Sequence, residues 1–120
     1  MKALLALALV ALLAAGCSGG STGPATPPSD GKGGYTIHML SSNQFSPKDA
    51  KVPVGSNVTW VHDGGAQHNV VDLGGSFSSD DELGHTLNPG QSYTHRFATA
   101  GTFHYHCAFH SGMDGTLTVA

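Results

Sequence analysis

From Tyr35 to its end the chain carries short runs rich in β-branched and aromatic residues, each stopped by Gly, Pro, Asn or Asp. No window sustains a 3.6-residue apolar period, so the segment predicts an all-β domain. Candidate strands are YTIHML (35–40), KVPVG (51–55), SNVTWVHD (56–63), HNVVDL (68–73), QSYTHRFA (91–98), GTFHYHC (101–107) and GTLTVA (115–120). Strand parity places Val58, Trp60 and His62 on one face, and Tyr93, His95 and Phe97 on another. Trp60, Phe97 and Phe103 are the expected core. Short strands at this spacing indicate a sandwich or barrel. The stretch GGSFSSDDELGH is irregular, with a short helical turn expected over 79–83.

The residues before Tyr35 have another character. Residues 1–16 hold one lysine, an apolar Leu/Ala/Val run and a small-residue ending, the pattern of an export signal. That run is shorter than the roughly 20 residues a membrane span needs. AAGC looks like the lipobox of bacterial lipoproteins, which makes Cys17 the expected lipidation site, although Ala14 stands where Leu is usual. Two other readings of Cys17 are a small residue at an ordinary cleavage site and a disulfide to Cys107. Residues 17–34 are rich in Gly, Ser, Thr and Pro and predict a flexible tether between anchor and domain. The domain is therefore expected at 35–120, exported and facing the periplasm or cell exterior.

Cleavage removes Lys2 and leaves four basic against eight acidic residues, a formal charge of −4. Such a surface excludes nucleic-acid binding.

The chemistry is concentrated in FHYHCAFHSGMDGTLTV (103–119), where Cys107, His110 and Met113 follow the spacing C-x-x-H-x-x-M. That spacing also suits one side of a helix, but Gly112 and Gly115 with TLTV following argue for a tight loop between strands. His68, at the start of a strand after a Gly-rich loop, is the expected fourth member. Two imidazoles and a thiolate with a weak thioether suit both Cu(I) and Cu(II), whereas zinc favours more thiolates or a carboxylate. His104 and His106 alternate with Tyr105 and Cys107 and should face away from the metal. His38, His62, His85 and His95 are expected at the surface or just behind the ligands.

The segments FSPKDAKVPVGSNVTWVHDGGAQHNVV and LNPGQSYTHRFATAGTFHYHCAFHSGMDGTLTV resemble bacterial cupredoxins of the plastocyanin, pseudoazurin and amicyanin group. The short ligand loop is similar to that of amicyanin. The resemblance spans essentially all of 35–120 and implies an eight-stranded Greek-key β-sandwich with one type 1 copper ion. It implies that Asn69 gives a backbone N–H to the Cys107 sulfur while its side chain ties the two ligand loops together. It also implies an apolar partner surface at Gly65, Ala66, Phe109 and Gly112, and a remote electron exit at His106. Relatives commonly carry Pro where this chain has Phe109, so an amide is restored beside the metal-bound sulfur and should raise the potential.

Asp80, Asp81 and Glu82 read either as a solvated loop or as a docking patch for a basic redox partner. The expected function is a non-enzymatic, monomeric electron carrier serving a cytochrome, oxidase or reductase. The alternative is a copper chaperone or store, which its single domain cysteine and few methionines disfavour. An enzyme would need an open coordination position or a second copper.

Overall fold

A computed structural model describes residues 23–120. The leader at 1–16 and Cys17 lie outside the described residues. The elements are β1 (Gly34–Leu40), β2 (Gln44–Ser46), β3 (Asp49–Val52), β4 (Ser56–His62), β5 (Val71–Asp72), α1 (Ser79–Leu83), β6 (Ser92–Phe97), β7 (Gly101–His106) and β8 (Asp114–Val119). They pair into two four-stranded sheets, ordered β2-β1-β4-β6 and β3-β8-β7-β5. The β1–β4 and β3–β8 pairs are parallel, the others antiparallel, so the chain crosses between sheets as a Greek-key sandwich requires. The all-β sandwich read from the sequence is the observed fold.

Parity builds the core. In β4, Ser56, Val58, Trp60 and His62 are buried, while Asn57 is exposed and Thr59 and Val61 are half-buried. On the outer face Thr59 and Thr94 share a 2.7 Å hydroxyl hydrogen bond across paired strands. Inside, Trp60 stacks on Tyr93 at 5.6 Å and on Phe77 at 5.7 Å, and meets Tyr105 edge-on at 5.4 Å. Removing such a fully buried indole costs about 3–5 kcal/mol. Phe77 comes from the irregular stretch, which thus contributes to the core as well as to the surface.

Several boundaries differ from expectation. The strand expected at 68–73 contracts to β5, because His68 pairs with Leu87 through two backbone hydrogen bonds of 3.1 and 3.0 Å. The strand expected at 51–55 begins at Asp49 and stops before Pro53, which has no N–H for the ladder. β2 was not expected; Asn43, at φ 60°, turns the chain so that Phe45 pairs with Met39. The helical turn forms where predicted and closes on Gly84 at φ 75°, whose amide bonds the Asp80 carbonyl.

The domain also begins before residue 35. Ala25 accepts from the Lys51 amide and donates to the Asp49 carbonyl, both at 2.9 Å, and the Thr36 amide bonds the Pro28 carbonyl. Composition predicted a solvated coil over 17–34. The open edge of β3, however, presents unpaired groups that an extended, proline-rich segment can cover.

Candidate metal centre

Cys107 directly follows β7 and Met113 directly precedes β8, so the sandwich brings both to one end. The Cys107 amide bonds the Met113 carbonyl at 2.9 Å and the Met113 amide bonds the His110 carbonyl at 3.2 Å. Gly112 sits at φ 82°, where a side chain would be strained. The segment is thus a tight loop rather than a helix. The pairing with Leu87 carries His68 in from the other direction.

Ligand-type atoms of His68, Cys107 and His110 all lie within 4.8 Å of one another. The Cys107 Sγ is 3.9 Å from Nδ1 of His68 and 3.5 Å from Nδ1 of His110, and among the described residues it has no disulfide partner. His68, Cys107 and Met113 are buried, whereas His110 keeps an edge toward solvent.

The surroundings fix which nitrogen of His68 is available. Its Nε2 lies 3.3 Å from the Leu40 carbonyl, which can only accept, so Nε2 carries the proton and Nδ1 keeps its lone pair toward the sulfur. Burial lowers the His68 pKa, and repulsion from His62 and His110 adds to it, against only the Leu40 carbonyl. The ring therefore stays neutral and able to coordinate. Two imidazole nitrogens preset on one thiol, with the buried Met113 ending the same loop, fit copper.

The other predicted residues distribute as follows. Asn69 is buried; its Oδ1 accepts from the Ala108 amide at 2.7 Å and its Nδ2 donates to Asp80 at 3.1 Å. Gly65 and Ala66 are exposed on the turn before His68, and Phe109 and Gly112 on the ligand loop, with Phe109 51% exposed. The acidic run divides by role: Asp80 holds Asn69, Asp81 is exposed, and Glu82 accepts from the Tyr93 hydroxyl and lies 3.0 Å from His95 Nδ1. His104 is exposed and bonds Thr116; His106 is half-buried opposite Val71. Both alternate with the buried Tyr105 and Cys107.

The Leu40 carbonyl was not expected, whereas His62, expected at the surface or just behind the ligands, lies stacked behind His68. The carbonyl leaves no sequence signal. His62 did leave one, since it shares its strand face with Val58 and Trp60.

A sequence model of copper binding proteins of the plastocyanin/azurin family matches residues 37–120. Plastocyanin of Scenedesmus fuscus is 42% identical over 83 residues, covering 62% of this chain and 85% of its own. Amicyanin of Paracoccus denitrificans is 29% identical over 120 residues, covering 94% of this chain and 92% of its own. Among solved structures, a purple cupredoxin from Nitrosopumilus maritimus superposes with a TM-score of 0.62 at 30% identity, covering 71% of this chain and 98% of that one.

Proposed function

The chain belongs to the plastocyanin/azurin family of copper binding proteins, and from that premise we propose that it is a type 1 copper protein that passes single electrons between partners outside the cytoplasm. It binds one copper ion and is an electron carrier, not an enzyme. The observation that carries the proposal is the convergence of His68, Cys107 and His110 donor atoms within 4.8 Å at the closed end of a rigid sandwich.

In this reading His68, Cys107 and His110 would be the strong ligands and Met113 a weak thioether donor. Bound copper supplies one reversible one-electron step. The protein's part is to keep its donors still. Cys107 is tied through its amide to Met113, and His68 is held by Leu40 and Leu87, so these donors would move little when bound copper changed oxidation state. Fast exchange follows from that small rearrangement. His110 is the ligand nearest solvent, and Gly65, Ala66, Phe109 and Gly112 are its proposed docking rim. The partners are redox proteins such as a cytochrome, oxidase or reductase, met by a monomer. His106 is a second exit, and Asp81 and Glu82 steer a basic partner.

Phe109 in place of proline gives the loop an amide whose proposed role is to withdraw charge from the thiolate and raise the potential. Phe109→Pro should lower it. Upstream, residues 1–16 act as a lipoprotein signal, and Cys17 anchors the domain to a bacterial membrane.

The decisive measurement is the visible spectrum of the copper-loaded, oxidised protein. An intense thiolate-to-copper band that disappears in Cys107→Ser supports the assignment, and a wild type without such a band refutes it. Membrane partition of wild type against Cys17→Ala tests the anchor.

A further inference from the structure

His62 is a histidine of unusual standing in this fold. It ends β4 on the core-facing side and is 1% exposed. A buried imidazole needs partners for both nitrogens. Nε2 lies 2.7 Å from the Ala66 carbonyl and so donates to it, while Nδ1 accepts from the Gly64 amide at 3.1 Å. Its backbone is held too, with its N–H on the Gln91 carbonyl and its C=O accepting from Gly90. One tautomer of one rotamer satisfies every group.

With its edges committed, the ring has only its faces left. One of them lies against His68, with centroids 4.5 Å apart and planes inclined by 28°. His68 is held at its Nε2 by Leu40 and in its backbone by Leu87, but a single hydrogen bond through a ring nitrogen leaves rotation about that bond open. A flat, immobile neighbour closes that freedom.

We propose that His62 is a positioning residue of the copper site: its pinned ring is the platform that orients the His68 imidazole, while its two nitrogens shape the Gly64–Ala66 turn. One side chain thereby couples a ligand to the turn that presents the partner surface. The inference rests on His68 being a ligand. Orientation by a neighbouring group is a general way in which a protein tunes a metal, and its loss typically weakens metal affinity about ten- to a hundredfold.

Two substitutions separate the ring face from the hydrogen bonds. His62→Gln keeps one donor and one acceptor for the turn but has no face. His62→Phe keeps the face and leaves Gly64 and Ala66 to water. Each is compared with wild type by the ring nitrogen shifts of His68 in metal-free protein, and by copper affinity and reduction potential after loading. His62→Gln is expected to move the His68 ring signals, lose about ten- to a hundredfold in copper affinity and shift the potential. His62→Phe is expected to recover most of that loss. A His62→Gln protein that is folded and indistinguishable from wild type overturns the proposal, as does a Phe variant no better than Gln. If wild type itself shows no thiolate-to-copper band, the copper-carrier reading fails. The metal-free His68 signals still decide whether His62 orients that ring.

Discussion

Asn69 Oδ1 accepts a 2.7 Å hydrogen bond from the amide of Ala108, a residue 39 positions away. The bond joins the His68 segment to the first residue after Cys107, so the two halves of the metal site cannot move independently. The second half of the same amide donates to Asp80 at 3.1 Å, adding α1 to the unit. Asn69→Ala leaves the Ala108 amide without this partner and should cost about 1–3 kcal/mol. Urea unfolding of metal-free protein measures this, and copper dissociation should quicken in parallel. A variant as stable as wild type would show that water replaces the side chain at no cost.

The grouping of His68, Cys107 and His110 was legible in the sequence because loop chemistry and strand parity are local. Cys107, His110 and Met113 lie in one window, and strand parity together with loop spacing separated them from His104 and His106. What was not legible depends on partners distant in sequence. Whether His68 sits in a regular strand was decided by Leu87, and β2 by the turn at Asn43. The proline-rich segment before Tyr35 has the composition of a coil, yet Ala25 pairs with β3 because that edge is open. The acidic run looked uniform, but burial of Asn69 and Tyr93 gives two of its members structural partners.

Gly115 on β8 lies opposite Tyr105 on β7. A Cβ built there would collide with the Tyr105 hydroxyl and ring, and that ring is itself wedged between Phe45 at 4.8 Å and Trp60 at 5.4 Å. Gly115→Ala should therefore destabilise by about 1–3 kcal/mol, as overpacked cores do. Tyr105 is two residues from Cys107, so the strain also reaches the ligand strand. The expected signature is a lower thermal midpoint in metal-free protein together with a shifted thiolate-to-copper band in the loaded form. An unchanged midpoint would mean that Tyr105 can withdraw from β8 freely.

Met113 gives a separable test of the ligand assignment. Met113 is 1% exposed and its amide is held by His110, so Met113→Leu keeps an apolar side chain of similar volume in the same pocket. Stability should change by less than about 1.5 kcal/mol. The reduction potential should nevertheless rise, because loss of a thioether donor disfavours Cu(II) more than Cu(I). A potential equal to that of wild type would remove Met113 from the proposed ligand set while leaving the other three in place.

Glu82 supplies the pH prediction. Burial would raise its pKa from the ordinary 4.5, but the hydrogen bonds from the Tyr93 hydroxyl and His95 outweigh it and hold the carboxyl below that value. A carboxylate depressed on folding stabilises the protein fully above its unfolded pKa, and the contribution is lost as pH falls through the folded one. The window therefore lies below pH 4.5. Because the Glu82 side chain is 42% exposed, solvent screening limits the contribution to at most about 1 kcal/mol. Asp30, whose carboxylate receives the Lys32 and Gly34 amides, is lowered as well and adds to the acid sensitivity of the wild type. The informative quantity is thus the stability difference between wild type and Glu82→Gln, measured by urea unfolding at pH 7 and at pH 3. It should favour wild type at pH 7 and shrink at pH 3. A difference that is the same at both values would show that the Tyr93 and His95 contacts hold the neutral acid as well as the carboxylate.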